Sequence, residues 1–505
     1  MDCYNITLDS SPPKYTRCSA SLLYPKSTPS GFCLFFKDEK LPNGQILASS
    51  FRDPSGFLFR ESGILYRQVN KSYASNYDKL MNRGLYATLT KLNLLIPHQE
   101  VDPKLALSNS SYKILQPTPL KYISYPHEWC FSQLKDAALA TLKIQQIALR
   151  FDMVLKDASA YNIQYHDGKP ILIDTLSFEQ YQEGSPWLAY KQFCQHFLAP
   201  LALMSYTDAR LNQLFRVYID GIPLDLASSL LPRRTYTKYS ILSHIHLHAK
   251  TQAKYAGSGD PNRVPKKAGK IKKSAYSALI QSIQSAVRGL HWKLPATEWG
   301  DYYAGTNYQL HSMQHKQDLV AEYLQAIAPE PGLVHDLGAN TGQFSRVAAD
   351  LGHAVIAHDI DVAAVEKNYL CGLKNKESKV LPLLLDLTNP SPAMGWSLSE
   401  RMSFVERCRG NLVMALALIH HLAIANNVPL NVLAKFFGEI ASSLIIEFIP
   451  REDSQVKRLL ASRQDIFEHY NEAQFERAFS VYFHIERKDK IRESERTLYL
   501  MSLII

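Results

Sequence analysis

Near the start of the C-terminal half, acids and glycines have the types and spacing to hold a ligand. An apolar run ends in Asp336-Leu337-Gly338-Ala339-Asn340-Thr341-Gly342-Gln343-Phe344. Gly338 and Gly342 permit a sharp turn and close approach of a ligand, and a helix starting near Gln343 aims its N-terminal amides at it. Asp359 and Asp386 close the next two apolar runs. An acid at the end of the second run can accept hydrogen bonds from two ribose hydroxyls, and all three acids converge on the crevice at the carboxyl edge of an open sheet. The spacing is Asp-x-Gly-x-x-x-Gly, not the Gly-x-Gly-x-x-Gly of dinucleotide folds; an acid ahead of the turn repels a pyrophosphate and suits a cationic ligand.

The fourth run reads as a strand that closes in Leu418-Ile419-His420-His421-Leu422. A histidine, with an ordinary pKa of about 6.5, is a natural base for taking a hydroxyl proton at neutral pH. Neighbouring strand residues face opposite ways, so one of the two should face the crevice. We favour His421 over His420; the alternative is a pair satisfied by backbone groups or lining a bound base. Glu447, near the end of the fifth run, is a further crevice candidate. A second constellation lies earlier. Asp157 and Asn162 are spaced D-x-x-x-x-N, a hairpin turn follows at Asp167-Gly168, and an apolar run delivers Asp174.

Alternating β-branched runs and helical patterns from Leu333 onward predict a doubly wound α/β sheet. Its strands fall at 333–338, 353–360, 379–387, 411–422 and 443–449. The runs 479–487 and 497–504, separated by a charged turn, form an antiparallel hairpin at the end of the sheet. With 505 residues, 46% hydrophobic and 20% charged, the chain can build extensive cores, and wholesale disorder is excluded. Gly, Pro, Ser and Lys replace apolar periodicity between Ala256 and Ala275, a linker signature. Six cations there against Asp260 account for +5 of the +9 net charge, so the excess says little about the folded surfaces. The expected organisation is an N-terminal domain (1–255), a basic linker (256–275) and a C-terminal domain (276–505).

Seven scattered cysteines with no CxxC argue against a disulfide framework or zinc site, and no metal site is expected. The first residues carry no secretory pattern, and the longest apolar stretch, 412–425, is too short for a membrane helix. A soluble, cytoplasmic protein is expected.

The residues from about Trp299 to Ile505 resemble the class I S-adenosylmethionine-dependent methyltransferases, whose first motif commonly reads D-L-G-A-N-T-G-x-F. The resemblance implies a seven-stranded Rossmann-like sheet in which Asp336, Gly338, Asn340 and Gly342 form the S-adenosylmethionine loop, Asp359 holds the ribose and Asp386 lies beside the adenine. Trp299, Tyr302, Tyr303, Tyr308 and Lys316 resemble the segment that covers the cofactor. The fourth run lacks the Asn/Asp-Pro-Pro-Tyr/Phe signature of enzymes that methylate amino groups, which disfavours such acceptors.

The stretch 56–232 resembles protein-kinase-like and aminoglycoside-phosphotransferase-like folds, an α+β architecture. There the residue matching Asp157 accepts a hydroxyl proton, and those matching Asn162 and Asp174 hold magnesium on ATP. Leu-Lys precedes Asp157 where His-Arg is usual, no Gly-rich loop is evident, and Arg67 stands where a lysine is expected. An active phosphotransferase, a pseudokinase module and a hairpin with surface acids all remain open on sequence. The whole chain is similar to bacterial nodulation-protein-like methyltransferases, on Leu155-Lys-Asp-Ala-Ser-Ala-Tyr-Asn162 and Trp187-x-x-Tyr-x-Gln-Phe-Cys194.

The leading expectation is an S-adenosylmethionine-dependent methyltransferase acting on a small-molecule or glycan hydroxyl. A bifunctional or solely Mg-ATP-dependent phosphotransferase is the alternative. RNA methylation through the lysine-rich linker ranks third, because no interleaved aromatic and basic pattern accompanies the lysines and nucleic acid is not an expected partner. Oligomeric state is open.

Overall fold

In the computed structural model, which describes residues 45–256, 272–295, 310–461 and 465–504, the N-terminal half opens with an antiparallel sheet. Strands β1 (Gln45–Ile46), β2 (Gly56–Glu61), β3 (Ile64–Asn70), β4 (His98–Val101) and β5 (Ser111–Pro117) run in the order β1-β2-β3-β5-β4. The helix Phe131–Arg150 follows, burying Leu134, Ala137, Ala138, Leu142 and Leu149 along one stripe. Then β6 (Met153–Leu155) pairs with β9 (Phe178–Gln180), and β7 (Ile163–His166) with β8 (Lys169–Leu172). The β7–β8 turn has Asp167 at φ 48° and Gly168 at φ 74°, the left-handed pair a two-residue hairpin requires. Trp187–Leu203 is largely helical from Tyr190.

The second sheet contains β10 (Leu333–Leu337), β11 (Ala354–Asp359), β12 (Val380–Leu384), β13 (Asn411–Ala415), β14 (Ala441–Phe448), β15 (Phe483–Lys490) and β16 (Thr497–Leu503). Its order is β12-β11-β10-β13-β14-β16-β15; β10 to β14 are parallel and β16 enters antiparallel between β14 and β15. This is the doubly wound, seven-stranded sheet with a terminal antiparallel hairpin. Every residue of β11 is buried, as expected for a parallel strand covered on both faces.

Three expected strands have other bounds: 379–387 ends at Leu384, 479–487 starts only at Phe483 because Phe479 ends the helix Glu472–Phe479, and 411–422 is much shorter than its sequence suggests. β13 stops at Ala415, so His420 and His421 do not end a strand, and alternation cannot decide which faces the crevice. Ala415 pairs with Ile446, but the next partner on β14 is a side chain: Glu447 Oε2 accepts the Ala417 N–H at 2.7 Å. Ala417 turns with φ 51°, and His421–Ala425 coils into a wide helical turn that buries Leu422, Ala423 and Ile424. The apolar run therefore spans a strand, a turn and a helical coil.

The halves share a core. The helix Lys273–Arg288, beyond the basic segment, lays Tyr276, Ile280 and Ile283 into the same apolar cluster as Leu134 and Leu142, and that cluster continues through Ile356, Val365 and Leu383 of the second sheet's layers. Polar contacts reinforce it. Glu366 accepts from the Ser132 N–H at 3.0 Å, capping the helix Phe131–Arg150 from the other half, and the Tyr369 hydroxyl donates to Asp136 at 2.7 Å. Arg407 and Glu128 form a fully buried ion pair, with Arg407 Nη1 to Glu128 Oε2 at 2.9 Å. Most of the lysine-rich segment (257–271), together with Trp299, Tyr302, Tyr303 and Tyr308, lies outside the described residues.

Candidate active site

The turn after β10 is built by left-handed residues. Gly338 (φ 78°), Asn340 (φ 51°) and Gly342 (φ 81°) let the chain double back, and the Gly338 and Ala339 N–H groups both donate to the His358 carbonyl at 2.9 Å. A Cβ at Gly342 would lie 2.5 Å from Asn368 Nδ2. This glycine thus serves helix-to-helix approach and is not among the cavity's lining residues, whereas Gly338, Ala339 and Asn340 are. The helix Gln343–Asp350 begins immediately after.

A cavity of ≈ 260 Å³ opens at the carboxyl edge, where β10 and β13 diverge in connection order. It brings together Asp336, Gly338, Asn340, Asp359, Asp386 and His421. Asp336 accepts from the Ser345 hydroxyl at 2.6 Å; burial pushes its pKa up to about 6, against the pull of that hydrogen bond. Asp359 accepts the N–H groups of Asn340 (2.7 Å) and Asp361 (2.8 Å), and burial pushes it up to about 6 as well. Neither acid has an ion-pair partner among the described residues. Asp386 is half-buried and accepts from the N–H and hydroxyl of Thr388 at 2.8 and 2.6 Å.

Lys316 also lines the cavity, with its ammonium 4.5 Å from the Phe344 ring centre and 2.6 Å from Glu447 Oε2. Burial lowers the lysine's pKa while Glu447 opposes the shift. Glu447 itself is fully buried behind the wall, joined also by Arg496 at 3.6 Å. It fixes the Ala417 turn that carries Leu416, Leu418 and His421 along the cavity. His421 faces the cavity and burial lowers it to about 4, so its ring is neutral at physiological pH. His420 does not line it. Its ring is buried against His421, with centroids 4.0 Å apart, and neither ring nitrogen has a hydrogen-bond partner among the described residues.

Several lining residues carried no assigned role in the sequence reading: Met313, Ile360, Leu387 and Asn426. Ile360 and Leu387 directly follow Asp359, which ends β11, and Asp386, two residues past the end of β12, a signal that could have found them. Asn426, which donates to the His421 carbonyl at 2.9 Å, had none.

The N-terminal constellation is arranged differently. Arg67, on β3, forms an ion pair with Asp174, Nη2 to Oδ1 at 2.7 Å, and lies 3.8 Å from Asp53. Lys156 lies 3.7 Å from Asp53 and donates to the Ser55 hydroxyl at 2.9 Å. The remaining Asp174 oxygen accepts the Ser177 hydroxyl, and Asn162 Nδ2 reaches Ser177 Oγ at 3.4 Å. Asp157 accepts the Ser159 N–H at 2.9 Å; burial raises its pKa, and neighbouring Asp174 adds to the rise. Asp157, Asn162 and Asp174 are brought into one neighbourhood, with cations already on Asp174 and Asp53.

No protein-family model matches the chain. It is 35% identical over 460 residues, 90% of this chain and 95% of the relative, to nodulation protein NoeA of Rhizobium meliloti strain 1021. Among solved structures it is similar to WbdD, elsewhere described as a bifunctional kinase-methyltransferase, at 14% identity over 43% of this chain and 46% of that one, with TM-score 0.29. Magnesium protoporphyrin IX methyltransferase (ChlM) of Synechocystis PCC 6803 with bound SAH matches at 18% identity over 41% of this chain and 93% of that one, with TM-score 0.30. The PH0226 protein of Pyrococcus horikoshii OT3 matches at 18% identity over 40% and 99% of the two chains, with TM-score 0.29. With 90% of its length aligned to that relative, the chain belongs to the NoeA nodulation-protein family, and the strand order and glycine turn of its C-terminal half are those of a class I S-adenosylmethionine-dependent methyltransferase.

Proposed function

We propose that the protein transfers the methyl group of S-adenosylmethionine to a hydroxyl of a small molecule or glycan, in the cavity at the carboxyl edge of the second sheet. The observation that carries this reading is the pair of buried acids, Asp336 and Asp359, which face a largely apolar cavity and form no ion pair among the described residues; Lys316 attracts Asp336 too weakly to offset its burial. Buried carboxylates are costly unless something favours their charge, and a cationic ligand with ribose hydroxyls does both. Asp336, Gly338 and Asn340 would hold the methionine end, with Gly342 shaping the turn; Asp359 would take the ribose hydroxyls and Asp386 would border the adenine. When bound, S-adenosylmethionine supplies an electrophilic methyl group on a sulfonium.

The protein's own contribution is positioning, water exclusion and proton removal. His421, neutral and lining the cavity, would accept the hydroxyl proton as the acceptor oxygen attacks. It gains a positive charge as the sulfonium charge disappears, so the net charge of the site does not change. Methyl-labelled S-adenosylmethionine incubated with a bacterial metabolite extract tests this. Label should enter an alkali-stable ether with the wild type and fall at least about 100-fold with His421→Ala. Label in an amine product, or undiminished transfer by the variant, would overturn the acceptor class or the base.

The N-terminal half we assign as a brace for this cavity, because Ser132, Asp136 and Glu128 grip the helix Val362–Asn375 and Arg407 from outside the methyltransferase sheet. The domain limits 1–255, 256–275 and 276–505 would then shift in one respect, with the helix Lys273–Arg288 counted with the N-terminal half. Mg-ATP phosphotransfer through Asp157, Asn162 and Asp174 would require Arg67 to leave Asp174. Among the described residues no helix is long and apolar enough to cross a membrane; we place the reaction in the cytoplasm, where the methyl donor is a metabolite.

A further inference from the structure

The connection between β12 and β13 carries a feature that methyl transfer does not use. Residues Met394 to Arg401 close on themselves, with Met394 N donating to Arg401 O at 3.0 Å and Arg401 N to Met394 O at 3.1 Å. Gly395 (φ 85°), Ser397 (φ 53°) and Leu398 (φ 56°) all adopt left-handed conformations, costly for the two that are not glycine. A Cβ at Gly395 would sit 2.6 Å from Glu400 Cβ. Yet this strained tip presents apolar side chains to solvent: Trp396 is 72% exposed, Leu398 69% and Met402 46%.

The tip is fastened from behind. The Glu400 carboxylate, buried, accepts the Trp396 N–H at 2.8 Å and the Arg52 guanidinium at 2.6 Å. Met394 packs under the tip with Tyr125, Tyr161 and Ile219, and the Tyr125 hydroxyl accepts the Met402 N–H at 2.8 Å. Two neighbouring segments add exposed apolar groups: Phe51, beside Arg52, and Val217, beside Arg216. Arg216 donates to the Asn389 and Pro390 carbonyls, while Arg401 stacks 4.5 Å over Tyr161 and donates to the Glu400 carbonyl; neither forms an ion pair among the described residues, although Arg401 is near enough to help lower the Glu400 pKa. Arg52 is paired to Glu400, and the exposed Asp220 is the acid near it. A rigid apolar tip containing tryptophan, flanked by two guanidiniums that form no ion pair among the described residues, matches a surface that is apolar within and anionic at its face.

We infer that this loop docks the protein on the surface of an anionic phospholipid bilayer. Trp396 and Leu398 enter at headgroup depth, Met402 and Phe51 follow at the edge, and Arg216 and Arg401 meet lipid phosphates. Because Leu385 to Thr388, which line the cavity, lead directly into this loop, docking would bring the cavity mouth to the lipid surface. The inference does not rest on methyl transfer, and failure of one leaves the other standing.

Co-sedimentation of the full chain with vesicles decides it. The probes are phosphatidylcholine alone and phosphatidylcholine with about one third phosphatidylglycerol. The wild type should partition onto the anionic vesicles roughly tenfold better than onto the neutral ones, less so at high salt, with a blue shift of tryptophan emission. Trp396→Ser with Leu398→Ser should reduce anionic partitioning by roughly tenfold, and Arg216→Gln should narrow the anionic preference, both retaining the wild-type thermal unfolding midpoint and circular dichroism as a check on folding. No partitioning onto either vesicle would overturn the inference. So would partitioning unchanged in the double variant, which would assign binding to another surface, or concentration-dependent self-association abolished by that variant, which would assign the patch to a second copy.

Discussion

The two acidic constellations use similar residue types and are in opposite electrostatic states. In the N-terminal half, Asp174 is held by Arg67 and Asp53 lies between Arg67 and Lys156, so these two acids have cations supplied by the fold. In the C-terminal half, burial pushes Asp336 and Asp359 to about 6, overriding a weak attraction from Lys316 at Asp336; neither acid forms an ion pair among the described residues, and both face a cavity. An acid satisfied by its own fold is a structural part. One that the fold leaves costly and pointed at empty space is arranged for a ligand.

The strongest way to break this comparison is to separate the halves. Removing one member of a buried ion pair strands the other, so Arg407→Ala should lower unfolding free energy by about 3–5 kcal/mol in chemical denaturation. It should also weaken S-adenosylmethionine binding, since Phe404 and the Arg407 segment pack against His358 beneath the glycine turn. Loss of binding without loss of stability would remove the brace.

Next comes the contrast between the acids themselves. Asp359→Ala should reduce S-adenosylmethionine affinity by about 100-fold, because charge-assisted hydrogen bonds contribute about 1.5–3 kcal/mol. Asp174→Ala should leave that affinity within about twofold.

The pH dependence sharpens the difference further. Asp336 has its folded pKa raised above its ordinary 3.8 to about 6. Between those values the folded state holds a proton that the unfolded chain has lost, so stability falls as pH rises through this window and the cost is complete above it. Asp336→Asn should therefore stabilise the ligand-free protein by on the order of 2 kcal/mol at pH 7.5, with the gain gone below about pH 4, while weakening S-adenosylmethionine binding. In the wild type, affinity should rise between about pH 5 and 7 as the acids ionise and then level off. The smallest expected effect is at Arg67: Arg67→Met should change S-adenosylmethionine affinity less than about twofold, and would need to create Mg-ATP binding, read by calorimetry, for phosphotransfer to be latent in the cluster.

What sequence made legible follows from how local each signal is. The Asp336 to Gly342 turn and the acids at 359 and 386 are written in contiguous runs, and the sheet order follows from the rhythm of those runs. His420 and His421 were misplaced on a strand because β13 ends where the Glu447 carboxylate, on another strand, takes the Ala417 N–H. No window around residue 417 contains that partner. Arg67 stood out in sequence as a replaced lysine, but its pairing with Asp174 joins residues 107 positions apart and appears only on folding. The shared core was hidden for the same reason: Glu128, Ser132 and Gln133 cluster around the start of the helix Phe131–Arg150, while their partners Arg407, Glu366 and the Pro382 carbonyl lie in the other half.

Calorimetric titration of the full chain with S-adenosylmethionine, alongside Asp336→Asn combined with Asp359→Asn, tests the central claim most directly. The account predicts saturable one-to-one binding by the wild type, lost in the double variant while Mg-ATP produces no heat with either protein. Absence of S-adenosylmethionine binding by the wild type, or binding unchanged in the double variant, would contradict it.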